Sequence, residues 1–447
     1  MSMLREMISN KAASATWALA LAAALLSACG ASDRSAGPSA AAPTLAAPIA
    51  AAPAGDRLYI RDGFKGGDQR LTIIDSASGA RERDLPPGLA SPDWTTLYVA
   101  ERNDDKTTLR AFDLATGRAL RETTVDGAYD LPMITPNSVM GGLSPDGRWL
   151  ALTSRATAKR TEFMVFDTAF EQQPRRAVLE GYFLFDGLNN SGSSLFLTEI
   201  LGDDPSAHYL VRRYDLSQGL LDPNVIVEKG EEDEPMSGVR QTAVASKQGD
   251  WLYSLYLDAE HGPFIHALPI NDPQFAFCID LPTDAKDDLA KQSRWSLLLS
   301  ADKRTLYAAN GALGLVAEYN LGDGVPQMLR TKSLLGMPDA GGDANTPAQP
   351  STNSIAALAP NGNTLYALGQ RGLLVIDTQA LTLRGRYLPD WSLDGVAVSA
   401  DSARLYAASA AQGKIVRLDP SAGTIAAEVP AGGRPSGLVR AEAVRQP

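Results

Sequence analysis

One pattern, four short apolar runs divided by small and polar turn residues, recurs along this chain and limits what it can become. Its plainest copy is residues 393–433, LDGVAVSADSARLYAASAAQGKIVRLDPSAGTIAAEVPAGG. The runs 395–399, 404–409, 414–419 and 424–430 are each enriched in Val, Ile, Leu or Tyr, the composition of strands. Together they predict a four-stranded antiparallel meander. A lone sheet of this kind leaves two apolar faces open to water, so it is stable only when stacked against others like itself.

Aligning on the second run gives Leu58-Tyr59, Leu97-Tyr98, Leu150-Ala151, Leu195-Phe196, Leu252-Tyr253, Leu306-Tyr307, Leu365-Tyr366 and Leu405-Tyr406. The spacing of roughly 50 residues is that of propeller blades. The third runs end at Asp75, Asp113, Asp167, Asp215, Asn320, Asp377 and Asp419, usually with Gly soon after, as in DSASG, DLATG and DPSAG. A side-chain oxygen there can accept from the next backbone N–H groups and close a hairpin. The fifth copy departs from this, running Leu268-Pro269-Ile270-Asn271. Between first and second runs lie SPDGR at Ser144, APNGN at Ala359 and SADSA at Ser399, all tight-turn sequences.

The first copy starts directly at its second strand, residues 57–61, while residues 436–441 (SGLVRA) follow the last copy as an unpaired first strand. The reading is an all-β chain: a β-propeller of eight four-stranded blades, in which the C-terminal strand completes blade one and removes two raw sheet edges. Seven blades is the alternative, because the first strand of the second copy, near Gly88, is weak.

Units such as GVAVSADSARLYAAS, followed by GKIVRLD and a Gly-containing turn, resemble those of YVTN-type and lactonase-like bacterial β-propellers, a WD40-like repeat architecture. The resemblance covers nearly all of residues 56–443, expected to be a single domain. It implies the fold and leaves function open, since that superfamily includes binding scaffolds, lactone hydrolases and subunits of electron-transfer enzymes.

Upstream of the repeats, Arg5 and Lys11 precede the apolar run 12–26, which is short for a membrane span, and Leu26-Ser27-Ala28-Cys29 follows. This segment resembles a bacterial lipoprotein signal peptide with its lipobox. The resemblance implies removal of residues 1–28, lipid on the sulfur of Cys29 and a protein facing the periplasm or cell exterior. Gly30 follows the cysteine, with no Asp retention signal, which by the family rule implies the outer membrane in a two-membrane cell. Residues 30–54 are almost all Ala, Pro, Ser and Gly with only Asp33 and Arg34 charged, so residues 29–55 read as a lipidated, disordered tether.

The chain carries a formal charge of −11; losing residues 1–28, whose Arg5, Glu6 and Lys11 sum to +1, leaves −12. An acidic chain of this kind is a poor partner for nucleic acid. Beyond Cys29 the one cysteine is Cys278, in an apolar fourth-strand run, expected as a buried and inert thiol. The three histidines, His208, His261 and His266, form no zinc pattern and are each expected in a turn or at the surface. No nucleophile elbow, phosphate-binding loop or dinucleotide fingerprint is present. Two long loops, 229–238 (KGEEDEPMSG) and 335–353, could supply oxygens for calcium, though neither has EF-hand spacing.

Residues that recur in every copy build the copy, so function is expected where copies differ. Twelve residues before each aligned leucine, at the start of the innermost strand, stand Leu85, Ser138, Phe183, Arg240, Arg294, Asn353 and Leu393. Arg240, Arg294 and Asn353 thus fall on three adjacent blades at the channel mouth. Two guanidinium groups there would grip a carboxylate or phosphate in forked hydrogen bonds. The alternative is that each Arg pairs with a nearby loop carboxylate, within 231–234 or 284–288, and only fixes that loop. Two functions follow: a lipid-anchored binding or scaffold module for a protein, glycan or small molecule, or a lactonase-like hydrolase with a metal in the channel. The shortage of histidine favours the first.

Overall fold

The computed structural model describes residues 55–62, 70–133, 140–157, 159–202, 208–230, 235–271, 273–283, 288–334, 355–431 and 435–443. The described strands form six four-stranded sheets and one eight-stranded sheet. The latter is two meanders whose outermost strands, Leu220–Glu228 and Phe275–Asp280, meet in a short parallel pairing, Val227 opposite Phe275. Every antiparallel unit has the same order, innermost strand to outermost, and the fold is a β-propeller.

The last unit holds the strands Gly395–Val398, Leu405–Ser409, Lys414–Leu418 and Ile425–Pro430, within a residue of the runs visible in the sequence. All eight aligned leucines lie on second strands. In the second unit the weak first strand is only Leu89–Ala90. Gly88 before it admits no side chain, because a Cβ would sit 2.5 Å from the carbonyl oxygen of Tyr98. In the third unit the innermost strand is interrupted. Tyr129–Asp130 pairs with the strand Trp149–Ser154, and after an insertion Leu143 resumes opposite Leu150.

The C-terminal strand Pro435–Ala443 pairs antiparallel with Asp56–Asp62, from Asp56 opposite Ala443 to Asp62 opposite Pro435, so the last residues supply the first unit's innermost strand. The third-strand residues act as their sequence suggests. Asp75 Oδ1 accepts from the N–H groups of Ala77 and Ser78, and Asp419 Oδ1 from those of Ser421 and Ala422. A serine at the first turn of five units does similar work: Ser399 Oγ donates to Asp401 and accepts from the N–H of Arg404. Ser91, Ser144, Ser246 and Ser300 also accept from the backbone five residues on.

Each sheet buries its apolar residues against the next, and Tyr253, Tyr307, Tyr406, Trp149 and Trp251 all pack within these layers. A long polar side chain also bridges every neighbouring pair of units to satisfy a turn carbonyl or a carboxylate. Arg83 donates to Leu114 O, Arg121 to Thr168 O, Arg175 to Gly192 O, Tyr253 to Gly324 O, Arg330 to Thr378 O and Tyr387 to Pro420 O. The remaining two junctions, between units four and five and between the last unit and the first, use buried ion pairs.

Candidate functional site

Inside the ring lies a cavity of about 610 Å³. Its wall takes residues from the innermost strands of units one to six, among them Val439, Leu89, Leu143, Leu188, Val244 and Leu299. A volume within the roughly 300–1,000 Å³ of ligand pockets, walled mostly by aliphatic side chains with a few charged groups, suits a small molecule. The charged residues in the wall are Arg61, Arg70, Asp186, Arg240 and Lys303, an excess of basic groups in an acidic chain.

Arg240 sits in the innermost strand of unit five, Val239–Ala245, and is 8% exposed. Its Nη1 donates 2.6 Å to the carbonyl oxygen of Asp186 and lies 3.1 Å from Asp186 Oδ1. Asp186 belongs to the innermost strand of unit four, Phe183–Leu188, at an irregularity between Phe185 and Gly187 that breaks the strand alternation. It is 1% exposed, and its Oδ1 also accepts from Tyr256 Oη at 3.2 Å. Asp186 Oδ2 and Arg240 Nε make no hydrogen bond among the described residues. A buried polar atom left unsatisfied costs about 1–3 kcal/mol, so the pair retains unused hydrogen-bonding capacity.

Behind this pair stands His266, buried in the third strand of unit five and set edge-on to Tyr256 with ring centroids 5.7 Å apart. This corrects the expectation of a turn or surface histidine. His261 does sit in a turn, with its ring beside Asp258, and His208 is exposed. Burial pushes the His266 pKa down, with Asp186 opposing and Arg240 reinforcing. Burial and then Asp186 push the Tyr256 hydroxyl well up. Cys278 is half-buried rather than sealed in, with Sγ 3.7 Å from His266 Nδ1.

A histidine whose folded pKa lies below its unfolded value, near 6.5, contributes stability that is fully present above about pH 6.5 and lost as pH falls toward the folded value. The melting temperature is therefore expected to decline between about pH 6.5 and 5, before the turn carboxylates begin to protonate, and His266→Gln should flatten that slope. Equal slopes in the two proteins would show that His266 does not titrate on unfolding.

Arg294 lies just before the innermost strand of unit six, Ser296–Leu299, after a helical turn, Leu289–Gln292, capped by the Asp288 side chain and not anticipated from the sequence. Burial lowers its pKa, and Asp394 of unit eight opposes that shift. Burial raises Asp394 in turn, with the Ala410 N–H and Arg294 opposing. Arg240 therefore faces Asp186 of the adjacent unit, and Arg294 the field of Asp394; the loop carboxylates at 231–234 and 284–287 lie outside the described residues. Asn353, Ser138, Cys29, the rest of residues 1–54, and the acidic centres of the two long loops lie outside the described residues. Leu85 ends the outermost strand of unit one instead of starting an innermost one.

Among the described residues no group of three or more His, Cys, Asp or Glu is placed to hold a metal ion, and no helix is long and apolar enough to cross a membrane. The sequence signal that marks Asp186 is a carboxylate within the apolar run FLFDGL; nothing local marks its partner 54 residues away.

No family model matches the chain, and no curated protein matches it. Among solved structures it is similar to AztD from Citrobacter koseri at 13% identity over 88% of this chain and 98% of that one, with TM-scores of 0.51 for the apo structure and 0.53 for a second crystal structure. It is also similar to dihydro-heme d1 dehydrogenase NirN in complex with DHE, at 15% identity and TM-score 0.50, over 87% of this chain and 76% of that one. At such identities the likeness is one of fold, and the class it defines is the β-propeller proteins.

Proposed function

We propose that this protein is an extracytoplasmic binding module, held to a bacterial membrane by lipid on Cys29, whose channel takes a small anionic ligand. The observation that carries this reading is the apolar cavity with Arg61, Arg70 and Arg240 in its wall, set in a chain of net charge −11. Burial lowers the pKa of Arg61, the mark of a guanidinium held in a partly desolvated wall. An anion there gains charge-assisted hydrogen bonds that water screens poorly. Arg294 and Asn353 extend the same reading to the channel mouth. The lipid signal and tether support the location, and the acidic surface argues against nucleic acid as partner.

One preparation tests both halves. Replacing residues 1–29 with a non-lipid secretory signal is expected to move the protein from the membrane pellet to the soluble fraction; retention after a high-salt wash would count against the anchor. Titrated with hexanoate and with inorganic phosphate, the protein is expected to bind at least one. The double variant Arg240→Gln/Arg294→Gln is expected to bind about tenfold more weakly or worse. Unchanged affinity in a variant with an intact near-ultraviolet spectrum would remove these arginines from the site.

A further inference from the structure

Arg240 does not stand alone in the channel wall. Its guanidinium and the Asp186 carboxylate lie side by side, 3.1 Å apart, and both residues line the cavity. Each is more than nine-tenths buried, and each retains an atom with no partner among the described residues, Asp186 Oδ2 as acceptor and Arg240 Nε as donor. A simple anion complements only half of such a pair and is repelled by the other half. A group carrying a cation next to an anion complements both, with ammonium against carboxylate and carboxylate against guanidinium.

The rest of the wall narrows the class. Leu89, Leu143, Phe185, Leu188, Leu252 and Leu299 present hydrocarbon, which suits a ligand with apolar side chains. The cavity of about 610 Å³ has room for more than one amino-acid residue. Arg61 and Arg70, from the first unit, place further positive charge in the wall, away from the pair between units four and five.

We propose that the channel binds zwitterionic ligands of the amino-acid and short-peptide class with apolar side chains, Asp186 reading the ammonium and Arg240 the carboxylate. This rests on the anion-binding reading and specifies it. The surrounding groups keep the pair fixed: Tyr256 Oη holds Asp186 Oδ1, and His266 packs edge-on to Tyr256.

The test titrates the full chain, purified in detergent, with the dipeptide Leu-Leu, with N-acetyl-Leu-Leu, with Leu-Leu amide and with hexanoate, followed by calorimetry. The expected result is binding of the free dipeptide, with each cap weakening it tenfold or more. An N-acetylated dipeptide that binds as tightly as the free one, or hexanoate binding without any dipeptide binding, overturns the zwitterion assignment and leaves the anion reading standing. Failure of all four probes overturns the zwitterion assignment, and failure of inorganic phosphate as well overturns the anion reading. Asp186→Asn is expected to abolish the difference between the free and N-acetylated dipeptides. Because that change touches a buried pair, the double variant Asp186→Leu/Arg240→Met, which replaces both charges by hydrocarbon of similar size, serves if the first does not fold. It is expected to bind neither dipeptide, and retained discrimination in either variant overturns the assignment.

Discussion

A chain ending at residue 433 is expected to melt at least on the order of 10 °C below the full chain, or to aggregate. Removing a few terminal residues is ordinarily harmless, because termini are seldom tied down. Here the lost residues include the strand Pro435–Ala443, paired along its length with Asp56–Asp62 and burying Leu438 completely between the first and last units. The buried leucine contributes roughly 2 kcal/mol, and the freed ladder groups of a formerly central strand add to that. The exposed edge also becomes a template for pairing with other chains. Calorimetry on the truncated protein checks this, and an unchanged melting curve would mean that closure contributes little to stability.

The second large effect is expected at Asp56, which seals the same junction from the turn side. Its carboxylate is fully buried and accepts from Tyr406 Oη at 2.8 Å and from Arg404 Nη2 at 3.1 Å. Arg404 Nε lies 2.8 Å from Oδ2 without hydrogen-bond alignment. The Asp56 N–H donates to Ser76 Oγ, which lies 3.0 Å from Tyr406 Oη, so two charges and two hydroxyls close on one point. Asp56→Ala leaves a guanidinium and a phenol facing a hole, a change that typically costs about 3–5 kcal/mol. Arg404 keeps partial contact with water, which places the expectation at the lower end of that range. Denaturant unfolding of Asp56→Ala against Asp56→Asn, which retains volume and one acceptor, separates the charge from the packing. A loss below about 1 kcal/mol would show that the pair is not a latch.

Strand positions were legible because they depend on neighbours in sequence. The Leu-Tyr pairs at 58–59, 97–98 and 405–406 lie on second strands, and the Asp turns at 75 and 419 close as drawn. The orphan run at 436–441 lies within the closing strand. What escaped notice depends on residues far apart in the chain. Asp186 and Arg240 come from consecutive innermost strands and meet only after two sheets stack, and His266 is buried because Tyr256 and the outer strand cover it. The parallel pairing of Val227 with Phe275 is equally non-local. Leu89–Ala90 and the divided strand at Tyr129–Asp130 were hard to see for another reason, being too short to show alternation.

The closing strand also sets a clock on folding. Tyr59 and Glu442, joined by a side-chain hydrogen bond, are 383 residues apart, so the contact that completes the ring joins the two ends of the domain. Each meander can form locally as it emerges, but none of them can hold Asp56–Asp62 on its open side until the last strand has been synthesised. Contacts of such sequence separation make folding slow, since loop closure must be met before they reward it. During that interval the first strand offers an unpaired edge and the last sheet an uncovered face, and the waiting time between them is the period in which this protein is most exposed to misassembly.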